Sequence, residues 1–243
     1  MNQPIQHSAN KLLASLDPED LEALSRNLAP VTLEKGALLY EPGDEIDLIY
    51  FPHNAVVSLM TLMQSGEAIE SATIGREGAV GFAAGVFPRR SLSRVIVQVA
   101  GTASRVSAAQ LNQACQGSER LRFLIDRHSE ALFAHAIQSV ACNALHSVEA
   151  RFCRWLLSCH DRIDSDRVSL TQEFLADMLG VQRTTVTVVA RTLQAAGLIR
   201  YSRGVVDILD RAGLEAITCE CYGAVRRNYE RLLAQPFGQR VDS

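Results

Sequence analysis

The sequence predicts an α+β protein: an N-terminal β-roll of the jelly-roll type, one long helix, and a C-terminal winged helix-turn-helix. Three observations predict it. Residues 31 to 106 alternate short apolar runs with glycine and proline turns. Residues 118 to 145 contain neither glycine nor proline. Residues 170 to 210 read as a helix, a tight turn, a second helix and a small hairpin.

Each element follows from local chemistry. Residues 10 to 29 suggest short helices, with Asp17-Pro18-Glu19 a favourable helix start. The roll strands are the runs ALLY, DLIYF, AVVSLMTLM, AIESATI and RVIVQVAG, separated by turns such as Pro42-Gly43-Asp44 and Ser65-Gly66. In the long helix, Leu121, Ile125, His128, Leu132, His135, Ser139 and Cys142 alternate by four and three, the spacing of a coiled-coil seam. Phe133, Ile137, Val140 and Ala144 form a second stripe. Such a helix can pack on its own roll and on a partner at once, and the seam is the expected dimer interface, the alternative being a helix buried within a monomer. A break at His146-Ser147 precedes another helix, whose Trp155 and Leu156 are expected in the core.

The next helix should start at Thr171, a hydroxyl N-cap, with Leu170 and Leu175 placed as a hydrophobic staple. Gly180 should end it in the left-handed region. The following helix, Gln182 to Ala196, should bury Val186, Val189, Ala190 and Leu193. Its other face carries Arg183, Thr184, Thr187, Val188 and Arg191, with Thr185 short enough to allow approach to phosphates. Arginine can bond guanine in a bidentate fork, and threonine offers a hydroxyl and a methyl. The hairpin turns at Arg203-Gly204, with Leu198, Val205 and Ile208 expected inward and Arg200 and Arg203 within reach of a DNA backbone. The tail from 211 should begin as a helix and end frayed.

Composition bounds the function. The chain has 243 residues and a net charge of −3, so nucleic-acid binding requires a local patch. From Thr171 to Gly204, Arg183, Arg191, Arg200 and Arg203 outnumber Glu173 and Asp177. The pattern alone leaves open a helix pair with no nucleic-acid role. No apolar run of transmembrane length and no signal peptide appear, so a cytoplasmic protein without membrane contact is expected. Six scattered cysteines suggest reduced thiols. Cys219-x-Cys221 should diverge on a helix, so no metal site is expected. No P-loop, HExxH, Ser-His-Asp set or dinucleotide fingerprint appears, so an enzyme is not expected.

The stretch GVQRTTVTVVARTLQAAGLI, with LTQEFLADMLG before it and VDILDRAGL after it, resembles the DNA-binding region of the catabolite-activator (Crp/Fnr) family of bacterial transcription regulators. The upstream order of roll and long helix fits the same family. The resemblance implies a cyclic-nucleotide-binding-like sensor domain over residues 1–117, a dimerisation helix over 118–146 and a winged DNA-binding domain over 147–243. It implies a homodimer acting on near-palindromic double-stranded DNA, with RNA polymerase as a further partner. The expected DNA contacts are Thr171, Gln182, Arg183, Thr184, Thr185, Thr187, Val188, Arg191 and Arg203. Family regulators often carry a glutamate and a second arginine on the recognition helix. Thr184 and Val188 stand there in this chain, so the resemblance does not fix the preferred site.

The family's cyclic-nucleotide cassette uses a glutamate for the ribose and an Arg-Ser or Arg-Thr pair for the phosphate. Here the segment is GREGAVGFAAGVFPRRSLSRVIV. Ala79 replaces the glutamate after Gly78, Glu77 lies two residues early, and Arg90-Ser91 is one residue out of step. Glu77, Gly78, Arg90 and Ser91 are the candidate effector residues, but cyclic AMP is disfavoured and the effector, if any, is unassigned. Gly75, Gly78, Gly81 and Gly85 serve equally as turn residues. An iron–sulfur sensor would need N-terminal cysteines, and the first here is Cys115. His128 and His135 read as packed seam residues more than haem ligands. Thiol oxidation at Cys142, Cys153 or Cys159 stays open. The competing function is a small-molecule or cyclic-nucleotide module whose winged domain contacts protein.

Overall fold

The computed structural model describes residues 7–81 and 90–234. Short helices α1 (Lys11–Ala14) and α2 (Pro18–Ser25) lead into the roll. Its strands are β1 (Ala29–Leu33), β2 (Leu38–Tyr40), β3 (Leu48–Pro52), β4 (Val56–Leu62), β5 (Ala68–Ile74), β6 (Arg94–Val99) and β7 (Gly101–Ser107). They form two antiparallel sheets, ordered β1-β7-β3 and β2-β6-β4-β5. Between the sheets lie Ile49, Phe51, Val57, Ile74, Val95, Val97, Ala103 and Val106, all buried. Gly85 of the effector cassette and residues 235–243 of the tail lie outside the described residues.

Helix α3 (Ala108–Gly117) was not legible as a separate element. Ser107 starts it with a capping box: its hydroxyl accepts from Gln110 N, and the Gln110 side chain accepts from Ser107 N. The long helix α4 runs from Glu119 to Leu145, capped by the Ser118 hydroxyl. Then come α5 (Val148–His160), β8 (Arg167–Ser169), α6 (Gln172–Leu179), α7 (Arg183–Ala195), β9 (Ile199–Ser202), β10 (Val205–Ile208), α8 (Arg211–Ile217) and α9 (Cys221–Leu233). No helix among the described residues is long and apolar enough to cross a membrane.

The winged domain has its own core of Phe152, Trp155, Leu156, Leu175, Leu179, Val186, Leu193 and Val206. That core continues into the roll. Val56 and Met60 of β4 belong to it, with Ala68, Ile96 and Val99 packed alongside. Polar contacts cross the same junction. The buried Trp155 indole N–H donates to Glu70 Oε2 at 3.4 Å, and Gln98 Nε2 lies 3.4 Å from the Met178 sulfur.

Three expectations require correction. The seam Leu121, Ile125, His128, His135, Ser139 and Cys142 is buried inside the protein, and Leu132 is partly buried against the roll core. A partner chain cannot reach it. Leu121 and Ile125 join the roll core, Cys142 packs on Cys219 and Cys221, and between them Val225 and Tyr229 of α9 pack on Ala131, with the Tyr229 ring 6.2 Å from His135 and 6.3 Å from His128. The exposed apolar stripe is the other one: Phe133 is 68% exposed, Ile137 55% and Val140 71%, Ala144 is exposed, and the neighbouring Leu145, outside the expected stripe, is 79% exposed. Heptad spacing locates an apolar face but does not say what covers it.

The wing is the second correction. Val206 is its fully buried residue and Val205 is half-buried, because alternation along β10 puts Val206 on the same face as buried Ile208. The third concerns the tail. Cys219 lies in the turn between α8 and α9, and only Cys221 is helical. Their side chains therefore do not diverge along one helix.

Candidate nucleic-acid interface

Helices α6 and α7 meet across a short turn at Gly180. Thr171 caps α6, its hydroxyl accepting from Phe174 N at 3.2 Å. Leu170 and Leu175 are both buried, as a hydrophobic staple requires. Gly180 adopts φ +60°, which glycine enters without steric cost, and a Cβ there would lie 3.0 Å from Ile69 on β5. This turn aims α7 outward while α6 stays against the roll.

Helix α7 divides cleanly. Val186, Ala190 and Leu193 are buried and Val189 is partly so. Gln182, Arg183, Thr184, Val188 and Arg191 are exposed on the opposite side, Val188 by 62%. Thr185 and Thr187 are half-buried at its edges. Arg183, Arg191, the threonines and the leading N–H groups of α7 present donors to a polyanion.

Gln172, which the sequence did not mark, stands at the junction of α6 and α7. Its side-chain carbonyl accepts from Arg183 Nε at 3.3 Å and from the Thr187 hydroxyl at 3.1 Å. It thereby ties the first turn of α6 to the reading face of α7. Glu173 completes the tie, with Oε1 2.5 Å from Arg183 Nη1. In this conformation Arg183 points back at α6, and base contact requires it to leave Glu173. A signal existed: glutamine and glutamate directly after the N-cap face the next helix of such a pair.

The wing closes the other side. Thr171, Gln172, Glu173, Arg183, Tyr201 and Arg203 line a groove of about 350 Å³ between α6, α7 and the hairpin. Tyr201 fixes the wing, its hydroxyl donating to Leu170 O at 3.0 Å and its N–H to Gln194 Oε1 at 2.7 Å. At the tip Arg203 takes φ +50° and Gly204 φ +74°, the mirror-image turn that suits a two-residue hairpin. An arginine in this region is uncommon, and the turn holds it 2 residues beyond the Tyr201 anchor, exposed to solvent.

The candidate effector residues do not converge. Glu77 binds Arg162 bidentately, at 2.7 to 3.1 Å, so its carboxylate is already paired. A Cβ at Gly78 would lie 2.5 Å from His128 Cε1, so Gly78 serves close packing on α4. Arg90 donates to Gly43 O at 2.7 Å, and the Ser91 hydroxyl to Ser93 O at 2.7 Å. Between the roll and α4 lies a cavity of about 220 Å³, lined by Tyr40, Ile46, Leu59, Val80, Leu132 and Phe133 among others. No charged side chain of the described residues lines it.

Comparison with known proteins agrees with this geometry. Residues 150–217 match the Crp-like helix-turn-helix domain. No curated protein matches the chain by sequence. Among solved structures, FixK2 from Bradyrhizobium japonicum superimposes with a TM-score of 0.67 at 15% identity, over 79% of this chain and 98% of that one. A Crp/Fnr-family regulator described as putative, from Eubacterium rectale, gives 0.64 at 17%, over 86% and 98%. The c-di-GMP-responsive global regulator CLP of Xanthomonas campestris gives 0.59 at 19%, over 79% and 99%. The chain therefore carries a Crp-like helix-turn-helix on the fold of Crp/Fnr regulators.

Proposed function

We propose that the protein is a sequence-specific DNA-binding transcription regulator, a binding protein and not an enzyme, acting as a homodimer. The observation that carries this reading is the exposed face of α7, with Thr184, Val188 and Arg191 presented outward by a Crp-like helix-turn-helix and Arg183 exposed beside them in its pair with Glu173. Two such helices enter successive major grooves about one helical turn apart. Thr171, Gln182, Thr185 and Arg203 lie at the margins of that face, where backbone phosphates run. Dimerisation uses the exposed stripe Phe133, Ile137, Val140 and Leu145 of α4, which a second copy covers. RNA polymerase is the further partner of a DNA-bound dimer, and the cytoplasm is its compartment.

We infer an effector other than cyclic AMP. The cavity under α4 has no charged side chain among its described lining residues, and Glu77 is paired with Arg162. A cyclic phosphate needs a guanidinium or comparable donor within reach.

A footprint of the purified protein on fragments of its own genome, across a salt series, tests the function. A protected near-palindromic site whose affinity falls steeply with salt is the expected result. A salt slope near zero, with no protected site, overturns it and leaves the winged domain as a protein-contact module.

A further inference from the structure

Cys142 and His146 stand one turn apart at the end of α4. Cys219 and Cys221 flank Glu220 where the chain passes from α8 into α9. Three sulfurs and one imidazole nitrogen from these residues all lie within 4.8 Å of one another. Cys142 Sγ is 3.6 Å from Cys219 Sγ, and His146 Nδ1 is 3.5 Å from Cys221 Sγ. Tetrahedral zinc, with bonds of about 2.3 Å to sulfur and 2.0 Å to nitrogen, sets its sulfurs about 3.8 Å apart and its sulfur and nitrogen about 3.5 Å apart. Two of the six edges already have the spacing of such a tetrahedron, and the other atoms lie within 4.8 Å of one another.

We propose that Cys142, His146, Cys219 and Cys221 form a structural zinc site. Four protein ligands fill the tetrahedron and leave no open position, which separates a structural site from a catalytic one. Thiolates favour zinc over the hard cations magnesium and calcium. The three cysteines are buried, so the ion would be shielded from water.

The surroundings match what a metal centre needs. Glu220 Oε2 lies 3.1 Å from His146 Nε2, which orients the ring so that Nδ1 faces the sulfurs. Gln138 Nε2 donates to Cys221 Sγ at 3.0 Å, and the backbone N–H of Cys221 bonds the Cys219 sulfur. Three thiolates and one Zn²⁺ carry a net −1, and Arg154 and Arg151 are the nearby positive charges. Binding exchanges three thiol protons for the ion, with no change of oxidation state. The site would pin the end of α4 to the α8–α9 turn, directly before α4 breaks into α5.

The test uses the full chain, purified under reducing conditions, stripped with a chelator and titrated with Zn²⁺ or Co²⁺. We expect one ion per chain, proton release on binding, and the intense visible bands of tetrahedral thiolate-bound Co²⁺. Cys219→Ser and Cys221→Ser should each weaken binding by more than the ~10–100-fold that loss of an outer-shell partner causes. Cys115→Ser, a thiol in the roll core, should leave binding unchanged. Failure of the reduced wild-type chain to take up either ion overturns the proposal, and this arm needs no variant to fold. Undiminished uptake by Cys219→Ser overturns it too. A Cys142–Cys219 disulfide in the isolated protein, with no uptake after reduction, would assign the cluster to thiol redox chemistry instead.

Discussion

Glu77 and Arg162 form an ion pair 2.7 Å apart, sealed between the roll and the winged domain, with side chains 13% and 7% exposed. The Arg162 guanidinium also donates to the Thr73 hydroxyl and to Ser158 O. Burial alone would push the Glu77 carboxyl up. The Arg162 charge and hydrogen bonds outweigh it and hold the carboxyl below its ordinary range. Arg162→Met strands a buried carboxylate and should cost about 3–5 kcal/mol. The double variant with Glu77→Met should recover much of that, as read from urea unfolding. Because the folded-state value is depressed, the pair's contribution should be full above the ordinary carboxylate range and fade as pH falls below it.

Glu70 behaves oppositely. Burial raises its carboxyl to about 7, against the weaker opposing pull of Ser58, Arg154, Trp155 and Arg162. A raised acid favours folding when protonated, so stability should decline as pH rises from about 4.5 to about 7. Glu70→Gln keeps the shape without the charge. It should raise the thermal midpoint at pH 8 relative to wild type, with the advantage shrinking near pH 5. An equal gain at both pH values would contradict this.

Arg183→Ala should weaken binding to the preferred site by about 1–3 kcal/mol, the worth of one bidentate base contact. Binding to random-sequence DNA should fall much less. Titration of both duplexes at one salt concentration distinguishes base reading from phosphate contact, and equal losses would assign Arg183 to the backbone.

Arg203 holds a left-handed conformation that asparagine tolerates better. Arg203→Asn should leave the fold as stable or slightly more so, while the slope of log affinity against log salt drops by about 1. An unchanged slope would place the wing tip away from phosphate.

Ile137→Glu and Val140→Glu put charges on the exposed stripe of α4 without touching its buried face. Sedimentation should show a shift from dimer toward monomer and a parallel loss of affinity for a two-half-site duplex. A dimer that persists in both variants would move the interface elsewhere.

The helix-turn-helix was legible because each of its signals is local. Thr171 caps one residue ahead of its helix, Gly180 supplies one positive φ, and Arg203-Gly204 makes a two-residue turn. The roll's strands were legible for the same reason. What the sequence hid was contact between distant segments. Tyr229 packs on residues of α4 about a hundred positions away, so the seam's covering could not be read from its own spacing. Glu77 looked like a ligand contact because its buried partner, Arg162, comes 85 residues later. Cys142 and Cys219 are 77 apart and meet only through the fold.

The winged domain completes its core with Val56, Met60, Ala68, Ile96 and Val99 from the roll. It is therefore not a portable cassette. Residues 147–243 expressed alone would bare the apolar patch that those strands cover, and should be insoluble or molten. Grafted onto a foreign sensor, the reading head would need a matching sheet surface to sit on. Change in this lineage is thus constrained to proceed on both sides of the joint together: a substitution on the outer face of β4 is also a substitution in the DNA reader.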